Sequence, residues 1–171
     1  MTGFGNCSAA SILLISATLL LASCGREATR GGDATPEVAA VLDSMNAAAA
    51  RADFDAYFRC FDEEAVFLGT DATERWDKRA FMAYAKPYFD RGKAWTFTSI
   101  ERHIVFTDDG STAWFDELLD TQMSICRGSG VLQRKAGAWS IRQYVLSMAV
   151  PNSIADTVIA LKRPLEAVLL K

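Results

Sequence analysis

The sequence predicts an α+β domain in which a strongly curved antiparallel sheet forms a cone closed by helices that precede it in the chain. Three observations carry this expectation. Apolar residues recur at the three-and-four spacing of helices between Val38 and Phe61. From Ala94 onward the chain turns to long segments rich in aromatic and β-branched residues, and turn signals at Asp108-Asp109-Gly110 and Ala136-Gly137 separate them. Helices first and strands afterwards place the helices on one face of the sheet. Long hairpin-linked strands curl because sheets twist, and the mouth of such a cone is a natural small-molecule pocket.

Each element has its own signature. Thr35 can cap a first helix that begins at Pro36 and turns Val38, Val41, Leu42 and Met45 to one face. Asp53 caps a second helix with Phe54, Tyr57, Phe58 and Phe61 on one stripe, and Asp62-Glu63-Glu64 then separates it from a short buried strand, Ala65-Val66-Phe67-Leu68. After a loop from Gly69 to Trp76, Asp77 caps a third helix with Phe81, Tyr84, Tyr88 and Phe89 inward, and Pro87 should kink or end it. Four strands follow, at about 94–107, 111–121, 123–135 and 139–148. Pro151 closes the sheet, and Ser153 with Asp156 offers a capping box for a last helix.

The start of the chain has a different character. Ala9 to Ala22 is almost wholly apolar and runs into Leu21-Ala22-Ser23-Cys24, the layout of a cleaved export signal. The run is short for a permanent span, which needs about 20 predominantly apolar residues. Leu, small, small, Cys resembles the lipobox of bacterial lipoproteins, which implies lipidation of Cys24 and a domain tethered to a membrane outside the cytoplasm. A soluble export signal and an uncleaved anchor are the alternatives, and Met1 to Ser8 lacks the Lys or Arg that usually opens such signals. The expected organisation is a signal over 1–23, a Gly-rich polar tether over 24–34 and one domain over 35–171, about 148 residues after cleavage, enough for a single core.

Composition excludes several classes of function. The net charge is −3 with no basic block, so nucleic acid is not an expected partner. His103 is the only histidine and no Cys/His cluster has ligand spacing, so no metal centre is expected. There is no phosphate cradle, serine-nucleophile motif or dinucleotide fingerprint, and nothing calls for a cofactor. Cys60 and Cys126 could pair in an oxidising compartment or stand as separate buried thiols.

Four blocks carry a family resemblance: Phe67 to Trp76, Ala113-Trp114-Phe115-Asp116-Glu117, Arg127 to Leu132, and Trp139 to Tyr144. With the ending Leu146-Ser147 and Pro151-Asn152, the chain resembles the SnoaL-like branch of the nuclear transport factor 2-like superfamily. The resemblance implies the cystatin-like roll, a cone-shaped sheet closed by N-terminal helices. It leaves chemistry open, because the superfamily includes isomerases, cyclases, dehydratases and epoxide hydrolases beside members that only bind or dimerise. In catalytic relatives an Asp or His inside the cone moves a proton. Relatives often carry His where this chain has Val145, which cannot do so.

Alternation along the last strand puts Trp139, Ile141, Gln143, Val145 and Ser147 on one side, taken as the concave one because Trp139 and Ile141 must be buried. Asp116 and Glu117 are neighbours, so one points inward as a general-base candidate; the competing reading is an ion pair with Arg127 or Arg102. A two-residue turn before the third strand would send Gly128 and Gly130 inward, whereas a three-residue turn would send Arg127 and Ser129 inward. The expected pocket draws on Trp76, Tyr84, Trp114, Arg127 and Gln143, with Asp71, Glu74 and Arg75 organising the loop beside it. The sequence therefore points to a lipid-anchored domain that binds a small, largely apolar molecule. The alternatives are a cofactor-independent proton-transfer enzyme, using Asp116 or Glu117 as base and Arg127, Tyr84 or Gln143 to orient substrate, and a non-catalytic module that homodimerises through the outer sheet face.

Overall fold

The computed structural model describes Met1 and residues 34–170; the expected signal, the lipidation site Cys24 and the tether up to Asp33 lie outside the described residues. Helix α1 (Thr35–Ala50) is followed by α2 (Phe54–Arg59), β1 (Phe61–Leu68), β2 (Arg75–Asp77), α3 (Lys78–Asp90), the long strands β3 (Phe97–Phe106), β4 (Thr112–Thr121), β5 (Ser124–Lys135) and β6 (Ala138–Met148), and a final α4 (Ala155–Glu166). The six strands make one curved, unclosed sheet in the order β2-β1-β6-β5-β4-β3. Only β1 and β6 run parallel. This is the expected α+β architecture.

The caps at Asp53 and Asp77 form, with the carboxylates accepting from Ala56 N at 3.0 Å and Ala80 N at 2.8 Å. Thr35 is not a cap. Ala34 precedes the first turn and Pro36 lies within it, so Thr35 is already helical. Ser153 and Asp156 form no capping box, because a 3₁₀ turn (Asn152–Ile154) delays α4. Pro87 does not end α3, which runs on to Asp90. Asp62-Glu63-Glu64 belongs to β1 rather than to a linker, and Arg75–Asp77 adds a short edge strand to it.

Two irregularities face each other across β1 and β6. Opposite β5, Ile141 pairs with Leu132 and Gln143 with Val131, so Arg142 is an extra residue, a bulge. Opposite this bulge β1 bows between Phe61 and Val66. Arg142 fills the bow, donating to Asp62 at 2.5 Å and Glu64 at 2.7 Å, while Lys135 reaches Asp62 at 3.0 Å. These donors and the Glu64 backbone N–H hold the Asp62 carboxyl well below the ordinary range, the backbone bond contributing most.

The bulge changes which side chains face the cone. Trp139 and Ile141 are buried, as expected, but beyond Arg142 the buried residues are Tyr144 and Leu146, while Gln143 and Val145 turn to the outer face. The β4–β5 turn has two residues, Gln122 and Met123, so Gly128 and Gly130 take the inward positions. Both glycines are spatially required. A Cβ at Gly130 would sit 2.1 Å from the Gln143 carbonyl oxygen, and one at Gly128 would sit 2.6 Å from the Tyr144 hydroxyl.

The core lies between the concave sheet face and α1 to α3, with Val38, Leu42, Met45, Tyr57, Leu132, Ile141 and Tyr144 among its most deeply buried members. Cys60 and Cys126 are free thiols in it. Helix α4 stands apart, with no buried residue and an exposed apolar face that includes Leu161 and Leu165.

Candidate functional site

A cavity of about 220 Å³ opens between α3, β2 and the β4–β5 turn. Its walls are aromatic. Trp76 stacks on Tyr84 at 4.5 Å between ring centroids, Tyr84 lies 5.5 Å from Tyr88, Tyr88 6.3 Å from Trp95, Trp95 6.2 Å from Phe81, and Phe81 5.7 Å from Trp76. All five rings line the cavity, so they form a closed circuit around part of its wall. Phe67, Phe97, Met123 and Leu146 extend the apolar lining, and Thr70, Glu74 and Gln122 supply polar groups.

Local sequence explains the placement of Glu74. Asp71 accepts from the Thr73 N–H and hydroxyl at 2.8 and 2.6 Å, closing a tight turn in which Glu74 N donates to Asp71 O. The Glu74 carboxylate then folds back over Gly69 and accepts from Asp71 N at 3.1 Å. A Cβ at Gly69 would meet Glu74 Oε2 at 2.1 Å, so this closure needs glycine. Among the described residues Glu74 is the only carboxylate in the lining, and no Lys or Arg lines it. The Tyr84 hydroxyl is pushed up to about 12 by its hydrogen bond to Tyr88, then by burial and by the charges of Tyr88 and Glu74. It is therefore a neutral donor at ordinary pH, not a base.

The residues singled out from the sequence divide into three places. Trp76 and Tyr84 line the cavity. Trp114, Arg127 and Gln143 do not: alternation on β4, the two-residue turn and the bulge put them in turn on the outer face, where Trp114 is 46% exposed and sits in a row with Val105, Val131 and Gln143. The expectation that these three share a pocket with Trp76 and Tyr84 is thereby corrected. Asp116 is also on the outer face, 3.7 Å from Arg127. His103 is exposed beside Glu101.

Glu117 points inward but into the core. It is 1% exposed and does not line the cavity. One oxygen accepts from Arg102 Nε at 2.8 Å, the other from the Tyr144 hydroxyl at 3.1 Å, and Arg102 continues to Asp43 on α1 at 2.8 Å. Gly128 leaves the space in which Glu117 and Tyr144 meet. Burial, followed by the Glu117 charge, drives the Tyr144 hydroxyl well above its ordinary value, so it remains a donor. The arrangement ties α1 to β3, β4 and β6, and its only apparent chemical capacity is structural.

Tyr88, Phe97, Gln122 and Met123 also line the cavity and were absent from the expected pocket. Their signal was positional: Gln122-Met123 is the tip of a hairpin at the mouth of the cone, and Tyr88 follows Tyr84 at the i+4 spacing of one helix face.

An aromatic cavity in a curved sheet closed by helices defines the architectural class of small cone-shaped α+β domains. The SnoaL-like domain family matches residues 38–151, and the chain belongs to it. Among solved structures it is similar to an NTF2-like protein of unknown function from Pseudomonas putida KT2440, with a TM-score of 0.62 at 13% identity over 72% of this chain and 92% of that one. It is similar also to a candidate dehydratase of the NTF2-like family from Streptomyces avermitilis, with a TM-score of 0.61 at 12% identity over 70% and 99% of the two chains. A domain of unknown function with a cystatin-like fold from Nostoc punctiforme gives 0.61 at 14% over 80% and 96%. At such identities the likeness is one of fold. No curated protein matches the chain.

Proposed function

We propose that this SnoaL-like domain binds a small, largely apolar molecule in the cavity beside α3. The observation that carries the reading is the wall itself: five aromatic rings, each in contact with the next, line part of a 220 Å³ space that has few polar groups. Aromatic walls with a few convergent polar groups suit small-molecule recognition. A thermal-shift screen of the full chain against steroid, polyketide and terpenoid sets tests it. Binding that Trp76→Leu and Tyr84→Ala weaken supports the reading, and no stabilisation by any set argues against it. Proton transfer by Asp116 or Glu117 lacks support, since neither reaches the cavity; Glu74 is the carboxylate placed for such chemistry.

The lipobox-like Leu21-Ala22-Ser23-Cys24 supports export and lipid anchoring at Cys24. Metabolic labelling with a palmitate analogue, abolished by Cys24→Ser, is the expected result. The rival interaction-module reading rests on the row Val105, Trp114 and Val131 across the outer face, in which Val105 is 46% and Trp114 46% exposed. A dimer by light scattering that Trp114→Glu dissociates would favour it.

A further inference from the structure

We propose that the cavity selects an organic cation, a quaternary or alkylated ammonium group, with the aromatic circuit facing the cation and Glu74 supplying the counter-charge. This rests on the reading of the cavity as a small-molecule site and adds the ligand's charge to it. Rings attract cations through the negative faces of their π systems, and the attraction grows when the cation is taken out of water. Trp76, Tyr84, Tyr88, Trp95 and Phe81 all line the same space. Two are tryptophans, the strongest of the aromatic partners.

The electrostatics of the lining agree. Glu74 is its only carboxylate, no Lys or Arg lines it, and Glu74 has no ion pair within 4 Å among the described residues. The cations near the site lie outside the lining: Lys162 of α4 pairs with Glu166 at 3.1 Å and acts on Asp71, and Arg91 stands over the Tyr88 ring at 4.8 Å. Two acids drawn further into the fold are matched by cations, Glu117 by Arg102 and Asp62 by Arg142 and Lys135. The Glu74 charge also acts on the wall, since it helps to raise the Tyr84 hydroxyl. A neutral apolar ligand would leave that carboxylate beside it with the Asp71 N–H as its one hydrogen-bond donor among the described residues, at a desolvation cost. A cation would meet both the rings and the carboxylate.

The test compares choline with its neutral carbon isostere 3,3-dimethylbutan-1-ol on the full chain, followed by tryptophan fluorescence because Trp76 and Trp95 line the cavity. Choline should bind roughly thirtyfold more tightly. Glu74→Gln, which keeps an acceptor for Asp71 N, should reduce that preference severalfold, the rings supplying the remainder, while leaving the isostere's affinity within about twofold. Trp76→Leu should weaken choline at least tenfold. Equal affinities for the two probes, or a preference that Glu74→Gln leaves undiminished, overturn the cation inference and leave the apolar-cavity reading standing. If neither probe binds at 50 mM while a hit from the apolar sets does, the inference also falls alone; if nothing binds at all, both readings fall.

Discussion

Replacing Glu117 by Gln separates a structural acid from a catalytic one. The carboxylate has no exposed side-chain surface and holds two donors, Arg102 Nε at 2.8 Å and the Tyr144 hydroxyl at 3.1 Å. Gln preserves the volume but carries one acceptor oxygen and one donor amide, so one of those two donors is left facing a donor. Removing one partner of a buried ion pair costs about 3–5 kcal/mol. Asp43 remains on Arg102 at 2.8 Å and still neutralises part of its charge, which favours the lower end, about 3 kcal/mol. In a domain of this size each kcal/mol moves Tm by about 3–4 °C, so Tm should fall by roughly 10 °C. Thermal unfolding by circular dichroism reads this, and ligand affinity below the transition should be unchanged, because Glu117 does not line the cavity. The double change Glu117→Leu with Arg102→Met should cost less than Glu117→Gln alone, since it removes both charges. A Glu117→Gln protein with Tm within about 2 °C of the parent, yet without ligand binding or turnover, would refute this assignment and restore Glu117 as a functional acid.

Other expectations follow from the same geometry. Gly128→Ala places a methyl 2.6 Å from the Tyr144 hydroxyl and 3.0 Å from Glu117 Oε1, so it should lower Tm by several degrees, and by less when Tyr144 is Phe. Ala136 has φ 50° in the β5–β6 turn beside Gly137 at 86°, a pair of positive values that favours Asn-Gly; Ala136→Asn should stabilise by about 1 kcal/mol in urea unfolding. Asp62 and Asp109 are both held below the ordinary carboxylate value of 3.8, Asp109 at about 2 by the Thr107 hydroxyl and by Ser111. Because the folded state lowers these pKa values, their stabilisation is present above about pH 4 and is lost as pH falls through the folded values. Acid unfolding should begin below pH 4, and Asp62→Asn should shallow that limb. Truncation after Asn152, which keeps the Ala149 N–H bond to Ile125 O, should shift Tm by only about 2 °C or less, since no residue of α4 is buried.

Much of the fold was legible because periodicity and capping are local. The 3.6-residue repeat of Val38, Leu42 and Met45 and the caps at Asp53 and Asp77 needed no tertiary information, and β3 to β6 begin and end within three residues of their expected limits. Pro87 and Thr35 show where local rules give way: a proline whose ring faces solvent can ride inside α3, and a threonine after an available Ala34 is not required as a cap. The site was less legible, because it depends on which way each strand faces. Alternation placed Trp139 and Ile141 correctly. It then failed at Gln143, since a bulge is a property of the pairing with β5 and β1, not of the strand's own sequence.

That bulge decides more than one side chain. If the alternation had continued through β6, Gln143 and Val145 would face the cone and Tyr144 the solvent, and Glu117 would lose its hydroxyl donor. By inserting Arg142 the chain turns Tyr144 inward, where it stacks 5.6 Å from Phe67 and reaches Glu117, and Arg142 itself is compensated by Asp62 and Glu64 in the bow of β1. The deep part of the cone is then occupied by side chains bonded to one another, with Arg102 and Asp43 completing the set. The aromatic cavity lies toward α3 and the β4–β5 turn, where Phe67 is the aromatic partner shared by Tyr144 and the cavity wall. Shortening β6 by deleting Arg142 should therefore do two things at once: destabilise the domain and change the cavity, because it would move Tyr144 off Phe67. A deletion that kept ligand affinity while lowering Tm would show that the cavity wall is independent of the bulge, and this account of how the bulge shapes the cavity would be wrong.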